Sequence, residues 1–278
     1  MPTDSPNPSS SEPPLNREDI LADMVSSARE ELVRRKAVLP LTALQRECQH
    51  LPPRTELPFR TALAQPGIRI IAEIKKASPS TGPFPPTINI SQRAHEYWKG
   101  GAAAISVVTE PRFFKGSLDI IRQIRPLVPL PILRKDFVVD AYQIYETRLA
   151  GADAVLLIAS IVNDALLEDL IQLSDSISLD TVVEVTEVEE IEKAVRCGAR
   201  IIGVNNRNLK NLSTDFHRSL VLASSIPPHI LRISESGLSQ ESQLSELHQA
   251  GYNGFLIGDY LMRQSEPRIA LQRFVSRS

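Results

Sequence analysis

Residues 130–137 read Leu-Pro-Ile-Leu-Arg-Lys-Asp-Phe, and the passage from apolar to charged within this stretch decides the fold. Leu130, Ile132 and Leu133, with Pro131 at the front edge, make a short buried strand, and Arg134, Lys135 and Asp136 bring its last turn abruptly into charge. A parallel α/β sheet puts its chemistry at such strand ends. Side chains alternate along a strand, so Arg134 and Lys135 face opposite ways and only one can enter the mouth of a closed barrel. Lys135 is the expected one. A lysine at a strand end is ordinarily a solvated rim residue; the company this one keeps, drawn from other strands, sets it apart.

The same pattern recurs on both sides. Apolar, β-branched runs fall at 70–74, 103–108, 131–133, 154–158, 181–185, 201–204, 230–233 and 254–257, eight in all. Between them lie stretches of helical periodicity, among them 90–99, 141–150, 187–196 and 240–249. Parallel strands joined by helical crossovers satisfy that alternation. Eight strands, each nearly continuous in hydrophobicity, favour a single (β/α)8 TIM barrel over an open doubly wound sheet. No Gly-x-Gly-x-x-Gly follows the first strand, which weakens a dinucleotide-binding alternative.

Composition fits this reading. The chain has 278 residues, 42% apolar and 23% charged, and one barrel of about 250 residues uses nearly all of it. A formal charge of −2 and a pI near 6.2 leave no basic footprint for nucleic acid or an anionic membrane, so small molecules are the expected partners. The longest apolar run, 154–162, contains Ser160 and falls short of the roughly 20 residues of a membrane span. Cys48 and Cys197 lie far apart and in no metal-type spacing, so no disulfide, no metal site and a reducing cytoplasm are expected. Residues 1–16 hold five prolines, four serines and no Lys or Arg. They are expected to be a disordered tail without the features of a secretory or transit signal. From Arg17 the residues Ile20, Leu21, Met24, Val25, Ala28 and Leu32 recur at helical spacing, with Asn16 as a possible cap and Pro40 as the stop. The expected organisation is a tail at 1–16, a helical extension at 17–60 covering the bottom or rim of the barrel, and a catalytic barrel at 61–278. With no other exposed apolar stripe, the chain is expected to be a monomer.

The strand ends collect polar residues. Glu73 and Lys75 stand two apart at the first, Glu110 near the second, Lys135 and Asp136 at the third, Glu184 at the fifth, and Asn205, Asn206 and Arg207 at the sixth. Ser234, Glu235, Ser236 and Gly237 close the seventh, and Gly258 and Asp259 the eighth. Isolated charges here would be structural ion pairs. Lys75 and Lys135 with Glu73, Glu184 and Glu235 can instead supply proton donors and acceptors together, with pKa values split by proximity. Ser236, Gly237 and Gly258 place small residues where backbone N–H groups can meet a phosphate. Asp259 fits there only if its carboxylate points away.

The stretches IAEIKKASPS, ISVVTEPRFFKGS, PILRKDFVVDAYQIYETRLAGADAVLLI, VVEVTEVEEIEKA, IIGVNNRNL, ISESG and FLIGDYLM, in this order, make the chain resemble the indole-3-glycerol phosphate synthase family from about residue 20 to about 270. The resemblance implies a barrel with an extra N-terminal helical segment. It also implies a carboxy-lyase of tryptophan biosynthesis that converts 1-(2-carboxyphenylamino)-1-deoxyribulose 5-phosphate to indole-3-glycerol phosphate, carbon dioxide and water with no cofactor. Carried over by motif, Lys135 is the general acid at the substrate carbonyl oxygen, Glu184 its partner in the dehydration and Lys75 a second cation. Glu73, Asn205 and Glu235 orient substrate and lysines, and Ser78, Arg207, Ser236, Gly237 and Gly258, together with Asp259, form the substrate- or phosphate-holding set. Phe114 and Phe137 meet the anthranilate ring. Burial is expected to lower the pKa of Lys135 from about 10.4 toward proton release. Two departures stand out: Thr186 where many relatives carry His, and Asp259 where many carry Glu. A related sugar-phosphate isomerase is the nearest alternative, but it would be expected to use an early Cys, and Cys48 precedes the first strand. A catalytically inactive phosphate-binding barrel would be expected to have lost Lys135 or Glu184, and both are present.

Overall fold

The computed structural model describes residues 20–52, 54, 56–208 and 213–275; the expected tail and its cap at Asn16 lie outside them. Eight parallel strands close into one barrel: β1 (Arg69–Ile74), β2 (Ala104–Val108), β3 (Ile132–Lys135), β4 (Ala154–Ile158), β5 (Asp180–Val185), β6 (Ile201–Asn205), β7 (Leu231–Glu235) and β8 (Gly254–Ile257), with β8 returning to β1. Several strands run further than their apolar runs. Lys135, Asn205, Ser234 and Glu235 all belong to the ladder, because backbone pairing continues while the inward side chains turn polar.

Among the described residues three helices precede the barrel, α1 (Ile20–Val38), α2 (Leu41–Gln49) and α3 (Pro58–Leu63), and the crossovers include α4 (Ile90–Lys99), α5 (Leu118–Ile124), α6 (Ala141–Leu149), α7 (Asp164–Ser176), α8 (Val188–Arg196), α9 (His217–Leu222) and α10 (Glu241–Gln249). Two further helices, α11 (Asp259–Arg263) and α12 (Pro267–Val275), follow β8. Side chains cap several of the crossovers: Asn89, Ser117, Asp140 and Asn163 each accept from a first-turn N–H. At the other end of α4 the turn reverses through Gly101 at φ 91°, with Ala102 N–H donating to Tyr97 O and Gly101 N–H to Trp98 O. This closure needs a left-handed residue and delivers the chain straight into β2.

The extension covers both ends of the barrel. α3 plugs the floor: Phe59 and Leu63 are fully buried, and Asp180 at the start of β5 receives the Arg60 amide at 2.9 Å and its guanidinium at 3.2 Å. No hydrophobic run announces that short helix. α1 lies at the opposite rim, with Ile20 and Met24 buried in the wall of the mouth. Its outer half is tied to α6 by Arg35–Glu146 and Lys36–Asp140, both 2.7 Å.

The register determines which residues share a level. Stepping one residue forward at each strand crossing from Glu73 leads through Val107, Lys135, Leu157, Glu184, Val204, Glu235 and Ile257 and back to Glu73. The odd-numbered strands point inward on this level, so Glu73, Lys135, Glu184 and Glu235 form one four-residue layer of the barrel interior. The layer beneath it on the same strands is Ile71, Leu133, Val182 and Ile233, all buried and apolar. The interior therefore changes from hydrocarbon to charge within one step along four strands.

Candidate active site

Above the charged layer opens a cavity of about 340 Å³. Of the expected site residues, Glu73, Lys75, Ser78, Phe114, Lys135, Phe137, Glu184, Asn205, Arg207, Ser236, Gly237, Gly258 and Asp259 line it. Glu235 does not: it is fully buried beneath the cavity floor.

β3 separates its two cations as the pleat requires. Arg134 faces outward between the strand and α6, completely buried, donating to Thr109 Oγ1, Gln143 O, Thr147 Oγ1 and Asp136 Oδ2 at 2.8–3.2 Å. Asp136 also accepts from the Thr109 hydroxyl at 2.7 Å and the Phe137 amide at 2.9 Å. Burial alone would raise the Asp136 pKa, but the Arg134 charge and these donors outweigh it and hold the carboxyl below the usual range. Lys135 faces inward, with 21% of its side chain exposed to the cavity. Its ammonium lies 3.2 Å from Glu184 Oε2 and 3.7 Å from Glu235 Oε2. Burial works against the charge, yet Glu184, Glu235 and Glu73 together overcome it and hold the ammonium above the ordinary lysine range. The expected lowering is thus reversed: the acidic groups on its own level, Glu184 first, outweigh desolvation.

Glu184 is fastened from its other side by Asn205, whose Nδ2 donates to Oε1 at 3.1 Å. Asn205 Oδ1 in turn accepts from the Arg207 amide at 2.9 Å. Glu235 is fastened less firmly: no described donor reaches either of its oxygens, and its carboxyl partner is Glu184, a contact that favours its protonated form. Burial raises its pKa first; Lys135 lowers it, but Glu184 and Glu73 raise it further, to about 8. At neutral pH Glu235 therefore holds its proton, and the layer carries fewer negative charges than its three carboxyl groups imply.

A second cluster stands on the β1–β8 side. Lys75 Nζ is 2.8 Å from Glu73 Oε1 and 3.0 Å from Asp259 Oδ1, and Arg207 Nη2 is 3.6 Å from Asp259 Oδ2. Asp259 points at two cations, Lys75 and Arg207. Ser236 and Gly237 after β7 both have left-handed backbones, φ 69° and 75°; a non-glycine residue such as Ser236 adopts that conformation at a cost of about 1 kcal/mol. The loop is pinned by Asn206, which is fully buried, donates to Ser236 O at 3.1 Å and Ser234 Oγ at 3.0 Å, and accepts from Ser219 Oγ at 2.8 Å. Asn205 and Asn206 thus divide as Lys135 and Arg134 do, one inward to chemistry and one outward to support. Thr186 holds Glu190 instead of entering the cavity lining, through its amide at 2.6 Å and hydroxyl at 3.1 Å. Glu110 spends its carboxylate on the amides of Arg112, Phe113 and Phe114 at 2.7–3.0 Å, shaping the loop that presents Phe114.

Strand-end reasoning missed several lining residues. Ile20 and Met24 come from α1, whose apolar face was legible while its docking place was not. Leu238, Tyr260 and Arg263 sit beyond the strands, the last two on α11; Tyr260 falls in the FLIGDYLM stretch without having been singled out, and no motif marks the other two.

Fold and site together define a (β/α)8-barrel enzyme with its proton donors and acceptors on the C-terminal ends of the strands. Solved barrels such as the thiamine phosphate pyrophosphorylase of Pyrococcus furiosus (TM-score 0.56, 15% identity, 74% of this chain and 93% of that one) share the fold alone. The family model for indole-3-glycerol phosphate synthase matches residues 21–274, and the chain belongs to that family. Synthases of that name from Leuconostoc mesenteroides (41% identical, 91% of this chain and 98% of that protein) and Chlorobium chlorochromatii (45%, 76% and 83%) are similar to it over most of their length. Among the described residues no helix is long and apolar enough to cross a membrane.

Proposed function

We propose that this mouth performs the family's reaction, turning 1-(2-carboxyphenylamino)-1-deoxyribulose 5-phosphate into indole-3-glycerol phosphate, carbon dioxide and water in tryptophan biosynthesis. The observation that carries the assignment of roles is the Lys135 ammonium, part-exposed at the cavity floor and held by Glu184 and Glu235. Ring closure forms a carbon–carbon bond at a carbonyl, and negative charge develops on its oxygen; a preorganised cation there lowers the barrier. Lys135 donates to that oxygen as it becomes basic, and its raised pKa keeps the proton in place until then. Loss of carbon dioxide restores the charge balance of the ring, in a pocket whose Phe114 and Phe137 walls exclude water. Glu184 then takes the ring proton while Lys75, beside Glu73 and Asp259, assists the departing hydroxyl.

Ser236, Gly237 and Gly258 offer backbone N–H groups to the phosphate, with Ser78 and Arg207 also in the cavity lining. Asp259 serves this side as the counter-ion of Lys75 and Arg207, and Glu235 serves through Lys135. A reducing cytoplasm belongs to the same reading, with which the free thiols of Cys48 and Cys197 agree.

The test is the rise of indole fluorescence when purified protein meets the carboxyphenylamino-deoxyribulose phosphate, run beside Lys135→Ala and Glu184→Gln. Wild-type turnover that collapses in Lys135→Ala supports the roles. A silent wild type means a reassigned or inactive barrel, and retained turnover in the mutant moves the acid to Lys75.

A further inference from the structure

Glu235 is held in place mainly by something other than donors to its oxygens. Its neighbours in the layer are all fastened: Glu184 by Lys135 and Asn205, Glu73 by Lys75. Glu235 has the ammonium of Lys135 at 3.7 Å and the neighbouring Glu184 carboxyl, and no described donor hydrogen-bonds its oxygens. What remains is shape, and the shape is set on β6.

Gly203 is the inward position of β6 between Ile201 and Asn205, paired in register with Glu184 on one neighbour strand and Ile233 on the other. Its backbone is not left-handed, so conformation does not demand glycine there. Space does. A Cβ at 203 would overlap Glu235 Oε1 outright and would lie 3.2 Å from Glu235 Cδ and 3.2 Å from Val182 Cγ1. The carboxyl of Glu235 thus lies across β6 in the volume that any side chain at 203 would fill. The same arrangement recurs at the end of β8, where a Cβ on Gly258 would overlap Glu73 Oε1 and come within 3.0 Å of Lys75 Nζ.

We propose that Gly203 is a positioning residue for the reaction: the absent side chain is the seat of the Glu235 carboxyl and determines its distance from Lys135. The proposal rests on the reading of Lys135 as the acid. The ladder pairing Asn205 with Glu235 ties the two backbones together, so added bulk at 203 is relieved by the end of the Glu235 side chain. That end must leave its seat among Glu73 of β1, Lys135 of β3 and Glu184 of β5, the charged groups that face it. The fold survives such a change; the proton arrangement around Lys135 does not.

The experiment compares Gly203→Ala, Glu235→Gln and the double variant for kcat, KM, the pH profile and thermal melting. Gly203→Ala is expected to lower kcat by about tenfold to a hundredfold, the scale of a 1 Å misplacement, with little change in KM. It should also displace the wild-type pH limb assigned to Glu235, and the double variant should be within about threefold of the worse single, since both act on one carboxyl. Wild-type kcat and pH profile in Gly203→Ala, or a double variant that multiplies the two losses, overturns the proposal. If Glu235→Gln by itself leaves kcat and pH profile untouched, it is the assigned role of Glu235 that fails. Should Gly203→Ala not fold, melting of Gly203→Ala/Glu235→Ala against Glu235→Ala decides. Truncating Glu235 empties the seat, so the two should melt alike, and a double variant that still fails to fold overturns the proposal.

Discussion

The outer and inner faces of β3 carry charges of the same kind to opposite ends. On the outer face, Arg134 and Asp136 are buried and saturated by each other, by Thr109, Gln143 and Thr147, by the Phe137 amide and by Glu146, 3.5 Å from the Arg134 guanidinium. On the inner face, Lys135 and Glu235 are close but incompletely paired, one with no hydrogen bond from any described residue. A saturated buried ion pair holds two elements in register, and losing a partner strands the other charge. An unsaturated one keeps capacity for a substrate, at some expense of stability. One residue of strand pleat separates the two outcomes.

That contrast can be broken most forcefully by removing each cation. Lys135→Ala should lower kcat by about 10³-fold or more while leaving the melting temperature near the wild-type value, read by product fluorescence and calorimetry. Arg134→Met should do the reverse, costing about 3–5 kcal/mol of stability by denaturant unfolding because Asp136 is left buried and unpaired. If both variants lost activity at unchanged stability, the division between the faces would be wrong. Glu184→Gln comes next, with an expected loss of about 10²-fold or more in kcat and a smaller change in KM.

The pH response sharpens the inner face further. With its pKa raised to about 8, Glu235 is neutral at pH 7 and gains a negative charge above pH 8. Added negative charge near an anionic substrate weakens binding and holds Lys135 more firmly protonated, so kcat/KM should fall through this range in the wild type and not in Glu235→Gln. Stability follows the same sign. A folded-state pKa above the ordinary 4.5 means the contribution of Glu235 is full below pH 4.5 and is lost as pH rises toward 8. The stability of wild type relative to Glu235→Gln should accordingly be poorer at pH 9 than at pH 5. The smallest effect belongs to the tail: deleting residues 1–16 should leave kcat/KM unchanged, and a collapse of turnover would give that segment a structural role.

Much of the barrel was legible because a parallel strand buried on both faces writes itself as an uninterrupted apolar run, and a mouth writes itself as the charge that ends it. The runs at 154–158 and 254–257 match their strands residue for residue. Lys135 could be chosen over Arg134 from pleat alone. The floor was not legible: Pro58–Leu63 is too short for periodicity to show, and its Phe59 and Leu63 acquire meaning only against the barrel bottom. Nor was the docking of Ile20 and Met24 at the mouth, since an amphipathic face declares that it is buried without declaring against what.

The sequence by itself determined the eight strands, their inward and outward faces, and a ring of lysines and carboxylates at one end, because alternation and hydrophobicity are local properties of the chain. Only the tertiary structure decided the charge states within that ring. The closed register puts Glu73, Lys135, Glu184 and Glu235 on one level, where the acidic groups overcome desolvation to keep Lys135 charged while burial, with Glu184 and Glu73, outweighs Lys135 and raises Glu235. It likewise turned Gly203 from an unremarked strand residue into the space where Glu235 lies, since the volume a residue leaves empty has no signature until a residue 32 positions further along the chain arrives to fill it.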